Sequence, residues 1–304
     1  MKKQEIYDLF KNIITNGTVL IDEPMKNHTS FKIGGPVDIL VMPGSLEEVS
    51  SSIKACKEND IEYMVMGNGS NLLITDKGIR GVIIKIAENL NEVKVEDNKI
   101  IAQSGALLSV VSKMALKHSL GGLEFASGIP GSLGGAVAMN AGAYGGEMKD
   151  VISKVKCIDL DGNIVEFTNS EMNFGYRQSI VQKERLIVVE GEITLKEEDY
   201  DKINEYMKEL NKKRTTKQPL HLPSAGSTFK RPEGYFAGKL IEDSGLRGLR
   251  HGDAQVSDQH CGFIVNLGNA TSSDVINLIR TVQKTVKDKF GVQLETEVKI
   301  IGEQ

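Results

Sequence analysis

The alternation of apolar and polar positions divides the chain into short strands and amphipathic helices. Ile6, Leu9 and Phe10 put one apolar stripe on the charged segment Met1 to Lys11, which predicts a surface helix. Val37 to Met42 reads as a strand, and Ser45-Leu-Glu-Glu48 as a capping box opening a helix with Leu46, Val49, Ile53 and Cys56 on one face. Ile61 to Met66 and Val82 to Ile86 are further strands, so the first part is built on a β-α-β unit. Glu92 to Val95 and Ile100 to Gln103 pair around Asp97-Asn98, and a helix runs from Leu107 to Lys117. Val151 to Asp159 and Ile164 to Thr168 flank the turn Asp161-Gly-Asn163, and Leu186 to Leu195 is a last strand of this part.

The composition shifts at Lys196-Glu-Glu-Asp199, where a helix begins with Tyr200, Ile203, Met207 and Leu210 in phase. Beyond it come a proline-marked stretch, Gln218 to Ser224, a helix from Phe236 to Ser244 and a strand near Phe263 to Asn266. A helix with Val275, Ile279, Val282, Val286 and Phe290 in phase and a closing strand, Leu294 to Ile301, complete the chain. The class is α+β, in an N-terminal subdomain 1–90, a second subdomain 91–197 and a C-terminal domain 198–304.

Glycine changes this picture. Gly128 to Gly146 reads Gly-Ile-Pro-Gly-Ser-Leu-Gly-Gly-Ala-Val-Ala-Met-Asn-Ala-Gly-Ala-Tyr-Gly-Gly, far richer in glycine than a core or solvent loop needs. Glycine lets main-chain amides approach a ligand closely. Met66 to Ile74 has the same character: a strand enters Gly67-Asn-Gly-Ser-Asn71, a turn whose amides are suited to an anion-binding nest. Two such loops suggest a dinucleotide with a central pyrophosphate. Gly128, Gly131 and Gly134 are spaced G-x-x-G-x-x-G, so the Rossmann fingerprint is poorly supported, and no phosphate-loop motif ending in Gly-Lys-Ser/Thr occurs.

Charge and cysteine content narrow the partners. A formal charge of -4 argues against nucleic acid or an anionic membrane surface as a partner. No apolar stretch approaches the ~20 residues of a membrane span, and the N-terminus lacks a signal-peptide core, which points to the cytoplasm. Cys56, Cys157 and Cys261 are widely spaced and read as reduced core residues, and the five histidines form no metal-ligand pattern.

Three further segments carry candidate chemistry: Asn173-Phe-Gly-Tyr-Arg177, Ser224 to Pro232, and Leu294-Glu-Thr-Glu-Val-Lys299. With Asn27 to Gly35 and the two glycine loops, in this order, they make the chain resemble the UDP-N-acetylenolpyruvoylglucosamine reductase family over nearly its whole length. The resemblance implies an FAD-binding fold of the vanillyl-alcohol-oxidase type in two subdomains, a C-terminal substrate domain, non-covalent FAD, and NADPH as hydride donor. It implies reduction of the enolpyruvyl ether of UDP-N-acetylglucosamine-enolpyruvate to UDP-N-acetylmuramate, a step of peptidoglycan precursor synthesis. Arg177 and Glu297 then stabilise the developing enolate, and Ser227 donates the proton. From the residues alone, Glu295 competes with Glu297; the family's motif matches the second glutamate. The cofactor contacts implied are Gly67, Asn68, Gly69, Ser70 and Asn71, together with Gly128, Ile129, Pro130, Gly131, Ser132, Gly135, Asn140, Ala141 and Gly142. The substrate contacts are Tyr176, Lys217, Lys230 and Arg247. The tyrosine-bearing loop of some family members has no counterpart in the uninterrupted helix from Glu198 to Lys217, and Arg231 stands where other members have asparagine. The alternatives are another flavin enzyme of the same fold, such as a sugar or alcohol oxidase, and a catalytically idle nucleotide-binding module.

Overall fold

The computed structural model describes residues 1–303 and divides into two compact units. One comprises residues 1–21, 39–68 and 81–214, and the other residues 22–38, 69–80 and 215–304. The chain passes from one unit to the other at five points: 21/22, 38/39, 68/69, 80/81 and 214/215.

The larger unit has two cores. Around a four-stranded sheet, in the order Thr18–Pro24, Pro36–Met42, Ile79–Lys85, Tyr63–Met66, the first core gathers Phe10, Ile39, Val41, Val49, Ile53, Cys56 and Ile84. Phe10, from helix Lys3–Ile13, and Ile53, from helix Leu46–Glu58, are wholly buried in it, as their apolar periodicity predicts. The strands flanking the β-α-β helix are not neighbours, because Ile79–Lys85 lies between them and pairs in parallel with Tyr63–Met66. The expected capping box forms only by half. Ser45 accepts from Glu48 N at 3.2 Å, but the Glu48 carboxylate turns away to accept from the backbone N–H groups of Gly44, Thr15 and Asn16 at 2.7–2.8 Å. Burial alone would push this carboxyl up, yet the N–H groups of Gly44, Asn16 and Thr15 hold it below its ordinary value.

The second core lies on an antiparallel sheet in the order Ile164–Thr168, Ile152–Ile158, Ile187–Thr194, Lys99–Gln103, Val93–Glu96. Both predicted hairpins form. Asp97 takes the left-handed conformation in one (φ 52°), and in the other Asp159 accepts from the N–H groups of Asp161 and Asn163 ahead of Gly162 (φ 77°). Helices Leu108–Lys117 and Leu133–Ala138 cover the sheet with Leu108, Val111, Leu133 and Val137.

The smaller unit packs helices Ala237–Asp243 and Ser272–Phe290 on the three-stranded sheet Arg250–His251, Ala254–Val256, Ile264–Asn266. Phe31, Ile33 and Leu73 enter its core from the two early segments. Two predicted elements differ. Leu294 to Val298 is irregular, held by a Phe229–Thr296 bridge, and only Lys299–Ile301 is strand, parallel to Leu72–Ile74. Phe290 and Phe236 are 40% and 62% exposed, because each sits at a helix end where the apolar stripe has run off the core. Each cysteine lies in a different core, free and buried, and burial pushes the Cys56 and Cys157 thiols up to about 12.

Candidate functional site

In the larger unit the glycine segment is stitched to the end of strand Lys99–Gln103. Leu108 N donates to Gly131 O, Leu133 N to Ala106 O and Gly134 N to Ser104 O, at 2.8–3.2 Å. This fixes the start of helix Leu133–Ala138 and separates two kinds of glycine. A Cβ on Gly134 would lie 2.8 Å from Ser104 Cβ, one on Gly146 2.6 Å from the Phe125 ring, and one on Gly142 2.6 Å from Gly146 O. These glycines serve internal packing. On exposed Gly135 a Cβ would meet nothing nearer than Ser132 Oγ at 4.0 Å, so its bare backbone faces open space. Gly67, where the first glycine turn begins, abuts the same serine: its Cβ would lie 2.5 Å from Ser132 Oγ. Gly131, with φ 125°, holds a conformation that excludes side chains.

Among the described residues four buried side-chain polar atoms lack a hydrogen-bond partner, and three of them border this segment. Ser104 Oγ belongs to the residue against Gly134, Ser127 Oγ to the residue before Gly128, and Arg214 Nε to a side chain packed on Gly128. Burial holds the Arg214 guanidinium below its usual range. A half-buried cation whose Nε is buried, two unsatisfied hydroxyls and a glycine backbone open at Gly135 fit an anionic, hydrogen-bonding cofactor such as FAD. Sequence reasoning passed over Arg214, although the signal was there. Ile203, Met207, Leu210 and Arg214 follow one helical stripe in Tyr200–Lys217, and its last member is a charge on the buried face.

Asn140, nominated as a cofactor contact, has its side chain wholly occupied by protein. It is fully buried with φ 42°, its Nδ2 donates to Glu147 Oε2 and Gly175 O at 3.0 Å each, and its Oδ1 accepts from Lys149 N at 2.9 Å. Gly175 pairs with Gln178 across a two-residue turn whose tip is Tyr176-Arg177. Arg177 takes φ 58° there, a left-handed conformation that costs a non-glycine residue roughly 1–2 kcal/mol. Its guanidinium lies 5.1 Å from the centroid of the half-exposed Tyr176 ring. Hydrogen bonding from Lys149 chiefly, then from Asn140, with the Arg177 charge nearby, holds the Glu147 carboxyl low.

The smaller unit gathers the remaining nominated residues. Ser227 stands between Gly226, at φ 74° with no atom within 4 Å of its would-be Cβ, and buried Thr228. Thr228 anchors the turn from both ends: its N donates to Gly262 O at 2.8 Å, and its Oγ1 accepts from Ile264 N at 3.0 Å. Its carbonyl accepts from Glu297 N at 2.8 Å, which sets Glu297 beside the Ser227 turn. Asn71 Nδ2 donates to Glu297 O at 3.1 Å and Lys299 N to Asn71 O at 3.0 Å, so the second half of the early glycine turn joins the same cluster. Glu297 is half-buried; the Glu295 carboxylate is 72% exposed and pairs with Lys230 at 3.0 Å. Arg247 pairs with Glu242 at 2.7 Å. Lys217 and Arg247 are near enough to His260 that, after burial, their charges add to the lowering of its pKa. Arg231 lies over the exposed Phe236 ring at 4.0 Å. An open depression of about 520 Å³ lined by Asp97, His118, Glu197 and Glu198 contains none of the nominated residues, and its carboxylates do not suit an anionic ligand.

Comparison with known proteins divides the chain in sequence order, with residues 37–38 and 69–80 of the smaller unit falling in the first match. Residues 37–168 match the FAD binding domain, and residues 218–301 the C-terminal domain of UDP-N-acetylenolpyruvoylglucosamine reductase. The reductases of Alkaliphilus oremlandii and Clostridioides difficile are 55% and 54% identical, over 304 and 303 residues, with 100% of each chain covered. The crystal structure of the Thermus caldophilus enzyme superposes with a TM-score of 0.79 at 35% identity, covering 93% of this chain and 98% of that one. With full-length identity at this level and both domain matches in order, the chain belongs to the UDP-N-acetylenolpyruvoylglucosamine reductase family.

Proposed function

We propose that the protein reduces the enolpyruvyl ether of UDP-N-acetylglucosamine-enolpyruvate to UDP-N-acetylmuramate, with NADPH as the hydride source, in the cytoplasm. The observation that carries this reading is that short hydrogen bonds join Asn71 to Glu297 and Glu297 to Thr228, the residue next to Ser227, so that three separate sequence signals meet at one turn. In this reading residues 1–197 mainly serve the cofactor, with Tyr176 and Arg177 acting on the nucleotide sugar, and residues 198–304 mainly serve the nucleotide sugar, with Arg214 packed on the cofactor segment at Gly128. Bound FAD supplies the relay of hydride from NADPH to the substrate. Gly67 to Asn71, Gly128, Gly131, Ser132, Gly135 and Gly142 offer it main-chain amides, with no side chain to obstruct them at Gly135, while Ile129, Pro130 and Ala141, whose amide hydrogens are absent or already bonded to Ala126 O and Ala136 O, contact it by shape alone.

The protein's own residues handle charge and protons. Hydride arriving at the substrate methylene builds negative charge on the adjacent carbon and its carboxylate, and Arg177 stabilises that charge with the guanidinium it carries at the tip of the Gly175–Gln178 turn. Ser227 gives its hydroxyl proton to that carbon; an alcohol suffices because the acceptor is strongly basic and the hydroxyl is positioned. Glu297 lies against the serine turn and supports the enol form. Tyr176, Lys217, Lys230 and Arg247 contact the nucleotide sugar, whose diphosphate needs local cations on an acidic protein.

Anaerobic mixing tests the reading. NADPH should bleach the flavin, and the enolpyruvyl nucleotide sugar should then restore its colour with one product formed per flavin. Protein that binds no FAD, or reduced flavin that the nucleotide sugar leaves unchanged, sinks it.

A further inference from the structure

We infer that Asn140 is a positioning residue for Arg177: its buried amide clamps the Gly175 carbonyl and so holds the Tyr176-Arg177 turn in register, while Glu147 fixes the orientation of that amide. The inference rests on the role given to Arg177 above.

Three observations converge on it. Asn140 is fully buried and its side chain makes three protein hydrogen bonds, which leaves it no donor with which to read a cofactor. One of those bonds ends on Gly175, the residue that opens a turn closed by two mutual main-chain bonds, Gly175 N to Gln178 O at 3.0 Å and Gln178 N to Gly175 O at 3.4 Å. The second of these is long. Arg177 nevertheless sits in the left-handed region, which persists only where the surroundings over-determine the backbone. Asn140 supplies that constraint on one side, and Ser179 Oγ, donating to Ala138 O at 2.8 Å, supplies it on the other. Both constraints come from the middle of the glycine segment, at Ala138 and Asn140, where helix Leu133–Ala138 ends. The segment thereby fixes the arginine that acts on the substrate.

Glu147 is the second part of the clamp. Its Oε2 accepts from Asn140 Nδ2 at 3.0 Å and from Lys149 Nζ at 2.8 Å, and Lys149 N returns to Asn140 Oδ1 at 2.9 Å. The closed ring of contacts allows the Asn140 amide only one orientation, with Nδ2 toward Gly175.

The test compares flavin half-reactions of the holoenzyme in Asn140→Ala, Glu147→Ala, Arg177→Ala and the Asn140→Ala/Arg177→Ala double variant. Calorimetry of the enolpyruvyl nucleotide sugar binding to each oxidised holoenzyme supplies a readout apart from turnover. Asn140→Ala should keep its FAD and its reduction by NADPH, while reoxidation by substrate slows by up to about 10²-fold, the scale expected for a misplacement of about 1 Å. Glu147→Ala should show the same split with a smaller loss. The double variant should reoxidise and bind as Arg177→Ala alone does, because the clamp has nothing left to position. Loss of FAD from folded Asn140→Ala, or additive losses in the double variant, overturns the inference. If Asn140→Ala does not fold, Glu147→Ala decides: wild-type reoxidation in it overturns the clamp. Arg177→Ala reoxidising at the wild-type rate would instead refute the role given to Arg177. A slow Arg177→Ala beside a normal Asn140→Ala refutes the positioning alone.

Discussion

The glycine segment of the larger unit and the serine turn of the smaller one present their chemistry by opposite means. From Gly128 to Gly146 the surface proposed to meet the cofactor is main chain, and side chains matter mostly by their absence at Gly135. Around Ser227 the surface is side chain, and the backbone serves to hold it, through Thr228, Asn71 and Glu297. The first kind is conspicuous in a sequence because glycine is costly to use repeatedly. The second is nearly silent, since a serine, an asparagine and a glutamate are common residues at common spacings. The contrast also shows that a glycine-rich run is not uniformly a binding loop: Gly134, Gly142 and Gly146 are needed by the protein's own packing.

The sharpest way to break the contrast is at the serine. Ser227→Ala removes the proposed proton donor without disturbing the main-chain bonds of Thr228, so reoxidation of reduced flavin by substrate should fall by roughly 10²–10⁴-fold while reduction by NADPH is unchanged. Rapid-mixing absorbance at the flavin band reads both, and an equal loss in the two halves would place the serine in the flavin site instead. Glu297→Gln should show the same asymmetry.

Next in size is a carboxylate outside both regions, which shows what main-chain donors can do for an anion. Glu48 accepts from three backbone N–H groups and is held below its ordinary value of 4.5, so its contribution to stability is complete above that pH and is lost as the pH falls through the lower, folded value. Glu48→Gln should lower the unfolding free energy at pH 7 by roughly 1.5–3 kcal/mol, and the difference from wild type should shrink on acidification below 4.5. A denaturation series that finds a constant difference down to pH 2 would remove the carboxylate from this account.

Within the glycine segment the two kinds of position should respond with opposite signs. Gly134→Val drives a side chain into Ser104 and should destabilise the apoprotein by about 1–3 kcal/mol. Gly135→Ala meets no protein atom and adds helix propensity, so the apoprotein should gain up to about 1 kcal/mol while FAD affinity falls. Thermal unfolding with and without added FAD reads both signs. An alanine at 135 that leaves FAD binding intact would show that this face is not used. The smallest effect is expected at Glu295. Its exposed pair with Lys230 should contribute under about 1 kcal/mol, and Glu295→Gln should leave both half-reactions at wild-type rates.

Much of this was legible in the chain. Periodicity located the helices that begin near Lys3, Leu46, Leu108 and Ser272 and both hairpins of the five-stranded sheet, since each is specified by residues a few positions apart. Local pattern carries no information on which distant segment a strand end will meet. Residues 22–38 and 69–80 therefore could not be assigned to the company of 215–304, and Leu294 to Val298 read as strand although its partner is a single bridge. Glu48 shows the same limit within one helix: the Ser-x-x-Glu spacing was correct, but three loop amides compete for the carboxylate. At the site, the ordered motifs named Ser227 and Glu297. Asn140 drew notice only as part of a glycine run, and its contact with Gly175 spans 35 residues that no periodicity links.

The interleaving of the two units has a consequence for synthesis. Residues 22–38 leave the ribosome long before residue 215, and at about 5–20 residues per second the intervening ~180 residues take roughly 10–35 s to emerge. During that interval Phe31, Ile33 and Leu73 have no core to enter, because every other member of theirs lies beyond Thr215. The smaller unit is completed last. A nascent chain halted near residue 200 should therefore display these apolar residues to chaperones, however far the larger unit has folded.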